Sequence, residues 1–326
     1  MRICLISHSL KNLIKGDIGT KLVGFYIAKE LKKNHELIQI DIKDINLWRK
    51  IRNFKPQIIH FVLCPSTLGL LISKITSFFY RSAKIVMSAP NPYLPFKELI
   101  TFLKPDITLA QSYESEKTFK NLGIKTKFLS NGVDIDKFIP KSDKVKKELR
   151  KKYDIDLNSF IILHVGPIIK KRNIRFLKNL QNEHNQVIII GRVPYEKDVY
   201  QYLTKNGCLV WIDHFKNIEE IYALSDCYIF PTPIKNKNAS IEIPLSVMEA
   251  MSCNLPVITT KFGALPRILE AGDGLFFMEK EEDYFNTLDK IKSGTIKVRT
   301  REKVLPYSWE NIAKRLEEIY EEIVSN

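Results

Sequence analysis

The stretch that decides the fold runs from Asp226 to Thr260. It opens with Cys227-Tyr228-Ile229-Phe230, an apolar run closed by Pro231-Thr232. It ends with Pro244-Leu245-Ser246-Val247-Met248-Glu249-Ala250-Met251-Ser252-Cys253-Asn254-Leu255-Pro256-Val257-Ile258-Thr259. The first run has the length and bounding residues of a buried strand. Pro244 suits the first turn of a helix, where its missing N–H would have no partner anyway. Asn254 suits the position just past a helix end, and Pro256 forbids continuation. A helix over 245–252 thus lies between strands over 227–230 and 256–259.

Working outward, the same alternation fills the chain. In the first half, strands are predicted over 2–7, 37–42, 57–63, 84–88 and 106–110, with helices over 20–33, 68–79 and 97–103. In the second half, strands over 160–165, 187–191, 209–212 and 275–277 join the two above. Helices are read there over 173–183, 197–206, 218–225 and 264–269, and a last one over 309–324. Strands that alternate with helices form parallel sheets covered on both faces. The expected fold is α/β: two doubly wound, Rossmann-like domains in tandem, with ligands at the carboxyl ends of their strands. The expected bounds are a domain over 1–140, a basic linker over 141–155, a second domain over 156–305, and a terminal helix over 306–326 that packs back toward the first domain.

Of the 326 residues, 44% are hydrophobic and 27% charged, which excludes wholesale disorder. The net charge of +14 is unevenly placed: +11 over 1–140 (22 basic, 11 acidic), +4 over 141–155, and −1 over 156–326. The excess implies an anionic partner on the side of the first half. Cys4, Cys64, Cys208, Cys227 and Cys253 stand singly in mostly apolar runs. That spacing reads as buried reduced thiols in a cytoplasmic protein, with neither a disulfide framework nor a zinc site. The N-terminus reads as a strand, not a signal peptide. No P-loop, no GxGxxG after a first strand, no GxSxG and no HExxH occurs. A dinucleotide cofactor is therefore disfavoured. The six histidines show no metal-ligand spacing and read as ordinary satisfied or exposed side chains.

A family resemblance enters at Ser130-Asn131-Gly132-Val133-Asp134-Ile135-Asp136-Lys137-Phe138-Ile139-Pro140. This segment resembles the Asn-Gly-Val-Asp…Phe…Pro stretch of the family 4 glycosyltransferases (glycosyl transferases group 1). The strand ending in Pro231-Thr232, and the block from Glu242 through Glu249-Ala250-Met251 to Leu255-Pro256-Val257, resemble the same family. So do Phe262-Gly263-Ala264-Leu265-Pro266 and Tyr307-Ser308-Trp309-Glu310. The resemblance implies the GT-B fold and transfer of a hexosyl group from a UDP- or GDP-linked donor with retention of configuration. It implies no cofactor or metal, and a glycan or lipid-linked acceptor.

Residue by residue, the resemblance assigns the donor site. The N–H groups of Leu245 and Ser246 and the helix dipole suit a diphosphate. Glu249 would accept from ribose hydroxyls, or else merely offset the helix dipole. Ile243 lies beside that site, as do Gly191 and Arg192 after a strand. Glu242 would meet the donor sugar; its alternative reading is a helix-capping carboxylate. The spacing from Glu242 to Glu249 is one residue shorter than the family's usual one, and Ile241 holds the usual column. In Gly166-Pro167-Ile168-Ile169-Lys170-Lys171-Arg172-Asn173, Pro167 replaces the family's arginine. Arg172 falls in the lysine column, with Lys171 or Lys170 compensating. Glu242, Arg172 and Lys171 are the catalytic candidates. Gly16 and Gly19 resemble the glycine-containing loop after the first strand, and a plain turn is the alternative. No histidine follows the fourth strand, where many relatives have one.

The basic first half is read as the acceptor side, facing an anionic membrane surface. Phe78, Phe79, Tyr80 and the segment Tyr93-Leu94-Pro95-Phe96 read first as core and alternatively as interfacial contacts. Nucleic acid is disfavoured, since no recognition module is visible. A different class also survives: a non-catalytic GT-B protein that binds a sugar nucleotide or supports a partner transferase.

Overall fold

The computed structural model describes residues 1–7, 18–62, 67–89, 104–212, 217–234 and 242–325. The chain forms two compact units. The first comprises Met1–Gly132, Lys237–Ile243 and Trp309–Asn326; the second comprises Val133–Asn236 and Pro244–Ser308.

The first unit holds a parallel six-stranded sheet: β1 (Arg2–Ser7), β2 (Glu36–Asp41), β3 (Ile58–Phe61), β4 (Lys84–Ala89), β5 (Ile107–Ala110) and β6 (Thr126–Phe128), in the order β2-β1-β3-β4-β5-β6. One face packs Cys4, Ile6, Ile59, Phe61, Ile85 and Met87 against Leu47 and Ile51 of helix Leu47–Phe54 and Phe119 of helix Tyr113–Asn121. The terminal helix Trp309–Ser325 belongs to this unit and buries Trp309, Ile312, Leu316 and Tyr320. Trp309 stacks on Tyr26 at 5.1 Å. A side chain at Gly132 would meet the Trp309 ring at 2.6 Å, so only glycine admits that indole. His60 is buried between the Tyr320 hydroxyl and Ser88 Oγ, and burial holds its pKa down at about 3.

The second unit holds β7 (Phe160–Val165), β8 (Asn185–Gly191), β9 (Leu209–Ile212), β10 (Cys227–Phe230), β11 (Val257–Thr259) and β12 (Leu275–Phe277), also parallel, in the order β12-β11-β10-β7-β8-β9. This is the order of a Rossmann sheet, with its switch point between β7 and β10.

The segment 141–155, expected as a basic linker or a solvated helix, lies in the second unit. Its helix Asp143–Lys152 starts at Ser142, whose Oγ accepts from the Val145 N–H. Buried Arg150 donates to the Leu224 carbonyl and pairs with Asp226 at 2.6 Å. Lys146 pairs with the same Asp226, and Lys152 with Glu220, so several of these cations anchor the helix. Helices Leu47–Phe54, Tyr113–Asn121, Glu282–Lys292 and Thr300–Val304 and strand β6 were not read from sequence. The helix read over 173–183 is a 3-10 stretch, Ile174–Leu180. The one read over 97–103 lies outside the described residues.

Candidate donor site

The sheet order of the second unit opens a crevice at the carboxyl ends of β7 and β10. Gly166 follows β7 and donates its N–H to the Ile190 carbonyl at 3.0 Å. The chain then turns through the 3-10 segment Lys170–Arg172, closed by Asn173 at φ 55°. Glu196 fixes this loop: its N–H reaches the Ile168 carbonyl at 2.9 Å, and its Oε2 accepts the Lys170 N–H at 3.0 Å. Lys170 pairs with Asp198, and Lys171 is exposed. The Arg172 guanidinium lies 5.6 Å from the Phe230 ring and 5.8 Å from the Phe262 ring. Two aromatic faces thus hold its position at the end of β10.

The helix Leu245–Ser252 begins after Pro244, whose carbonyl takes the Val247 and Met248 N–H groups. No side chain among the described residues caps it. The N–H groups of Leu245 and Ser246 therefore have no partner from within the helix. Ser246 Oγ lies 2.8 Å from the Tyr228 hydroxyl. At the far end Asn254 stands at φ 56°; its N–H reaches the Met251 carbonyl and the Leu255 N–H the Ala250 carbonyl. That is the left-handed cap foreseen for Asn254.

Glu249 accepts the Tyr222 hydroxyl on Oε2 at 2.7 Å. Burial pushes its carboxyl up, opposed by the Tyr222 hydrogen bond and by Lys137 and Arg192. Arg192 follows β8, and its burial is offset by Glu249. A side chain at Gly191 would meet Ile168 Cδ1 at 2.3 Å, so this glycine serves loop packing.

The motif over 133–140 supports this arrangement from behind. Phe138 packs edge-on against Tyr222 at 5.5 Å. Arg301 donates to the carbonyls of Ile135, Phe138 and Ser252, tying the motif to the end of the helix. Tyr222 and Arg301 went unnoticed in the sequence, because neither sits in a motif. His164 was read as an ordinary histidine. It is buried, donates from Nδ1 to the Ile229 carbonyl at 2.9 Å, and burial lowers its pKa to about 4.

Glu242 departs from its expected role. It lies in the first unit and is buried. Its Oε2 accepts the Ser112 N–H at 3.0 Å, and its Oε1 accepts the hydroxyls of Ser112 and Ser115, the latter at 2.6 Å. Ser112 is the N-cap of helix Tyr113–Asn121. The carboxylate therefore completes a helix start, the alternative reading, but at a helix far away in sequence. Ile243 is held likewise: its carbonyl accepts from Asn131 Nδ2 at 3.0 Å, while Asn131 Oδ1 accepts from Gln111 at 2.7 Å. Gly19 sits within helix Ile18–Leu31, not in a loop, and Gly16 lies outside the described residues.

Gly166, Arg172, Arg192, Leu245, Ser246 and Glu249 are thus gathered by one unit at one end of one sheet. Two doubly wound units in one chain are the architecture of the GT-B fold. Residues 159–292 match the family described as Glycosyl transferases group 1. The chain is similar to an uncharacterized glycosyltransferase of Methanocaldococcus jannaschii, at 26% identity over 78% of this chain and 68% of that protein. It is similar to the sulfoquinovosyl transferase SQD2 of Arabidopsis thaliana, at 25% identity over 80% of this chain and 55% of that enzyme. Among solved structures, Anabaena HepE in complex with UDP and glucose superposes with a TM-score of 0.77 at 18% identity, over 99% of this chain and all of that one. A glycosyltransferase of Rickettsia africae superposes at 0.76 and 18%, over all of this chain and 99% of that one. Residues 159–292 thus carry the likeness to the group 1 glycosyltransferases, and both of these curated relatives are named as sugar transferases.

Proposed function

We propose that this protein transfers a hexosyl group from a nucleoside-diphosphate sugar to a lipid-linked or glycan acceptor, with retention and without an essential metal. The observation that carries the reading is the grouping of Arg172, the uncapped N-terminus at Leu245 and Ser246, and Glu249 around the switch point of the second sheet. In the transfer, the bond from the anomeric carbon to the diphosphate oxygen breaks, the bond to the acceptor oxygen forms, and the acceptor hydroxyl's proton passes to the departing diphosphate. Negative charge then grows on the diphosphate. A guanidinium held beside two rings and a helix N-terminus stabilise that charge without reorganising. Tyr222 occupies one oxygen of Glu249, and the other is assigned to a ribose hydroxyl. Gly166 lets backbone approach the phosphates. Glu242 and Ile243 are removed from the donor contacts and act in holding the first unit's backbone. The solved HepE complexes make UDP-sugars the first donors to test.

The engagement of Glu242 by three donors favours keeping the second reading, a protein that binds a sugar nucleotide without transfer. A donor panel with the purified protein separates the two. UDP-glucose hydrolysis that survives EDTA and is lost in Arg172→Ala supports the enzyme. Binding without turnover supports the alternative, and complete loss with EDTA overturns the metal-free mechanism. The acceptor side is assigned to the basic first unit, in a cytoplasmic protein placed peripherally at an anionic membrane. No helix among the described residues is long and apolar enough to cross a membrane.

A further inference from the structure

The helix Thr67–Phe79 seats Ile72 on the core but divides its other described residues unusually. It buries Ser73 and Thr76, and the Thr76 hydroxyl bonds back to the Ile72 carbonyl at 2.6 Å. It exposes Leu71 (47%), Phe78 (65%) and Phe79 (69%). Leu71, Lys74 and Phe78 recur at helical spacing on the outer stripe. The two phenylalanine rings meet edge to face at 5.4 Å, and the Arg81 guanidinium lies 5.8 Å from the Phe78 ring. Neither ring is spent on the core, so the fold gives no reason for them.

The neighbouring helix Leu47–Phe54 continues this surface. Ile72 and Tyr80 pack on the same core cluster as Leu47 and Ile51, and the Tyr80 hydroxyl donates to the Trp48 carbonyl at 3.0 Å. Beside it Ile45 is 94% exposed. Arg49, Lys50 and Arg52 are exposed on that helix, as are Lys74 and Arg81 on and after the other. Over 43–55 and 67–84 the sequence has a single acid, Asp44, which pairs with Lys50.

We infer that these two helices form a docking surface for an anionic lipid bilayer. This deepens the acceptor reading above and rests on it. Exposed aromatic rings suit the headgroup boundary, where their apolar bodies leave water. The surrounding cations match the negative surface potential, which is worth about 1 kcal/mol per cation. Cations around inserted rings also let the stems of Lys and Arg lie along apolar surface while their heads stay wet.

The test is sedimentation of the full chain with vesicles of phosphatidylcholine alone, or mixed with phosphatidylglycerol, at low and high salt. Binding is expected only on the mixed vesicles, weakening as salt screens the cations. Arg49→Glu and Arg52→Glu should each lower partitioning at least about fivefold. Phe78→Ser with Phe79→Ser should lower it about tenfold or more, with unchanged far-ultraviolet circular dichroism, since both rings are exposed. Equal binding to both vesicle types, full binding by the serine variant, or retention by duplex DNA without vesicle binding overturns the inference. UDP-glucose hydrolysis, measured without vesicles, reports on the donor site separately.

Discussion

Replacing Glu242 separates an anchoring carboxylate from a sugar-contacting one. In Glu242→Ala the Ser112 N–H, the Ser112 hydroxyl and the Ser115 hydroxyl lose their shared acceptor. Hydrogen bonds to a charged group contribute roughly 1.5–3 kcal/mol each, and a buried donor left alone costs about 1–3 kcal/mol. The hydroxyls can turn toward each other, 3.2 Å apart, but the N–H cannot move. The expected loss is therefore on the order of 2–4 kcal/mol. Glu242→Gln differs. Its carbonyl can accept the Ser112 N–H while its amide donates to the two serine oxygens, which accept as readily as they donate. Burial pushes the Glu242 carboxyl up, a desolvation cost of the charged form that a neutral amide avoids. Glutamine should stay within about 1 kcal/mol of the parent. The assay is denaturant unfolding followed by tryptophan fluorescence, with Trp48 and Trp309 reporting on the first unit, alongside donor hydrolysis. Stable Glu242→Gln protein with near-parental hydrolysis is the expected result. Stable Glu242→Gln protein with hydrolysis abolished would refute the anchoring role.

Further expectations follow from the same geometry. Gly132→Ala drives a methyl group into the Trp309 ring and should cost about 1–3 kcal/mol, read as a lower unfolding midpoint. Tyr222→Phe frees Glu249 Oε2 and should weaken UDP binding severalfold in calorimetry while leaving the fold intact; unchanged affinity would detach Tyr222 from the site. His60 and His164 are held neutral, with pKa values of about 3 and about 4 against the ordinary 6.5. The unfolded chain binds more protons below pH 6.5, so stability should fall as pH drops from 7 toward 4. Each histidine contributes about 2 kcal/mol of that loss by pH 5. Glu242 and Glu249 are raised and so act in the opposite sense at the acid end. An unfolding midpoint that is flat from pH 7 to 5 would contradict the buried neutral imidazoles.

The elements legible in sequence were those whose signal is local. Pro244 and Asn254 bracket helix Leu245–Ser252 by their own backbone chemistry, and the apolar runs of β7, β8 and β10 need no partner to be read. What escaped depends on contacts far apart in the chain. Ser112 and Glu242 stand 130 residues apart, so no spacing could reveal that one caps the other's environment. Arg150 and Arg301 each look like one more surface cation until the carbonyls they bind are known. Helix Leu47–Phe54 has Leu47, Ile51 and Phe54 at helical spacing but lasts only about two turns, and Tyr113–Asn121 carries few apolar residues. Phe78 and Phe79 read as core because aromatic residues usually are, and the structure leaves both in solvent.

The most direct test of the donor-site assignment is UDP-glucose hydrolysis by the purified protein with EDTA present, compared across the parent, Arg172→Ala and Glu249→Ala. The assignment requires turnover in the parent and loss of at least about a hundredfold in Arg172→Ala, with weakened UDP binding in Glu249→Ala. Parental turnover in both variants would contradict it.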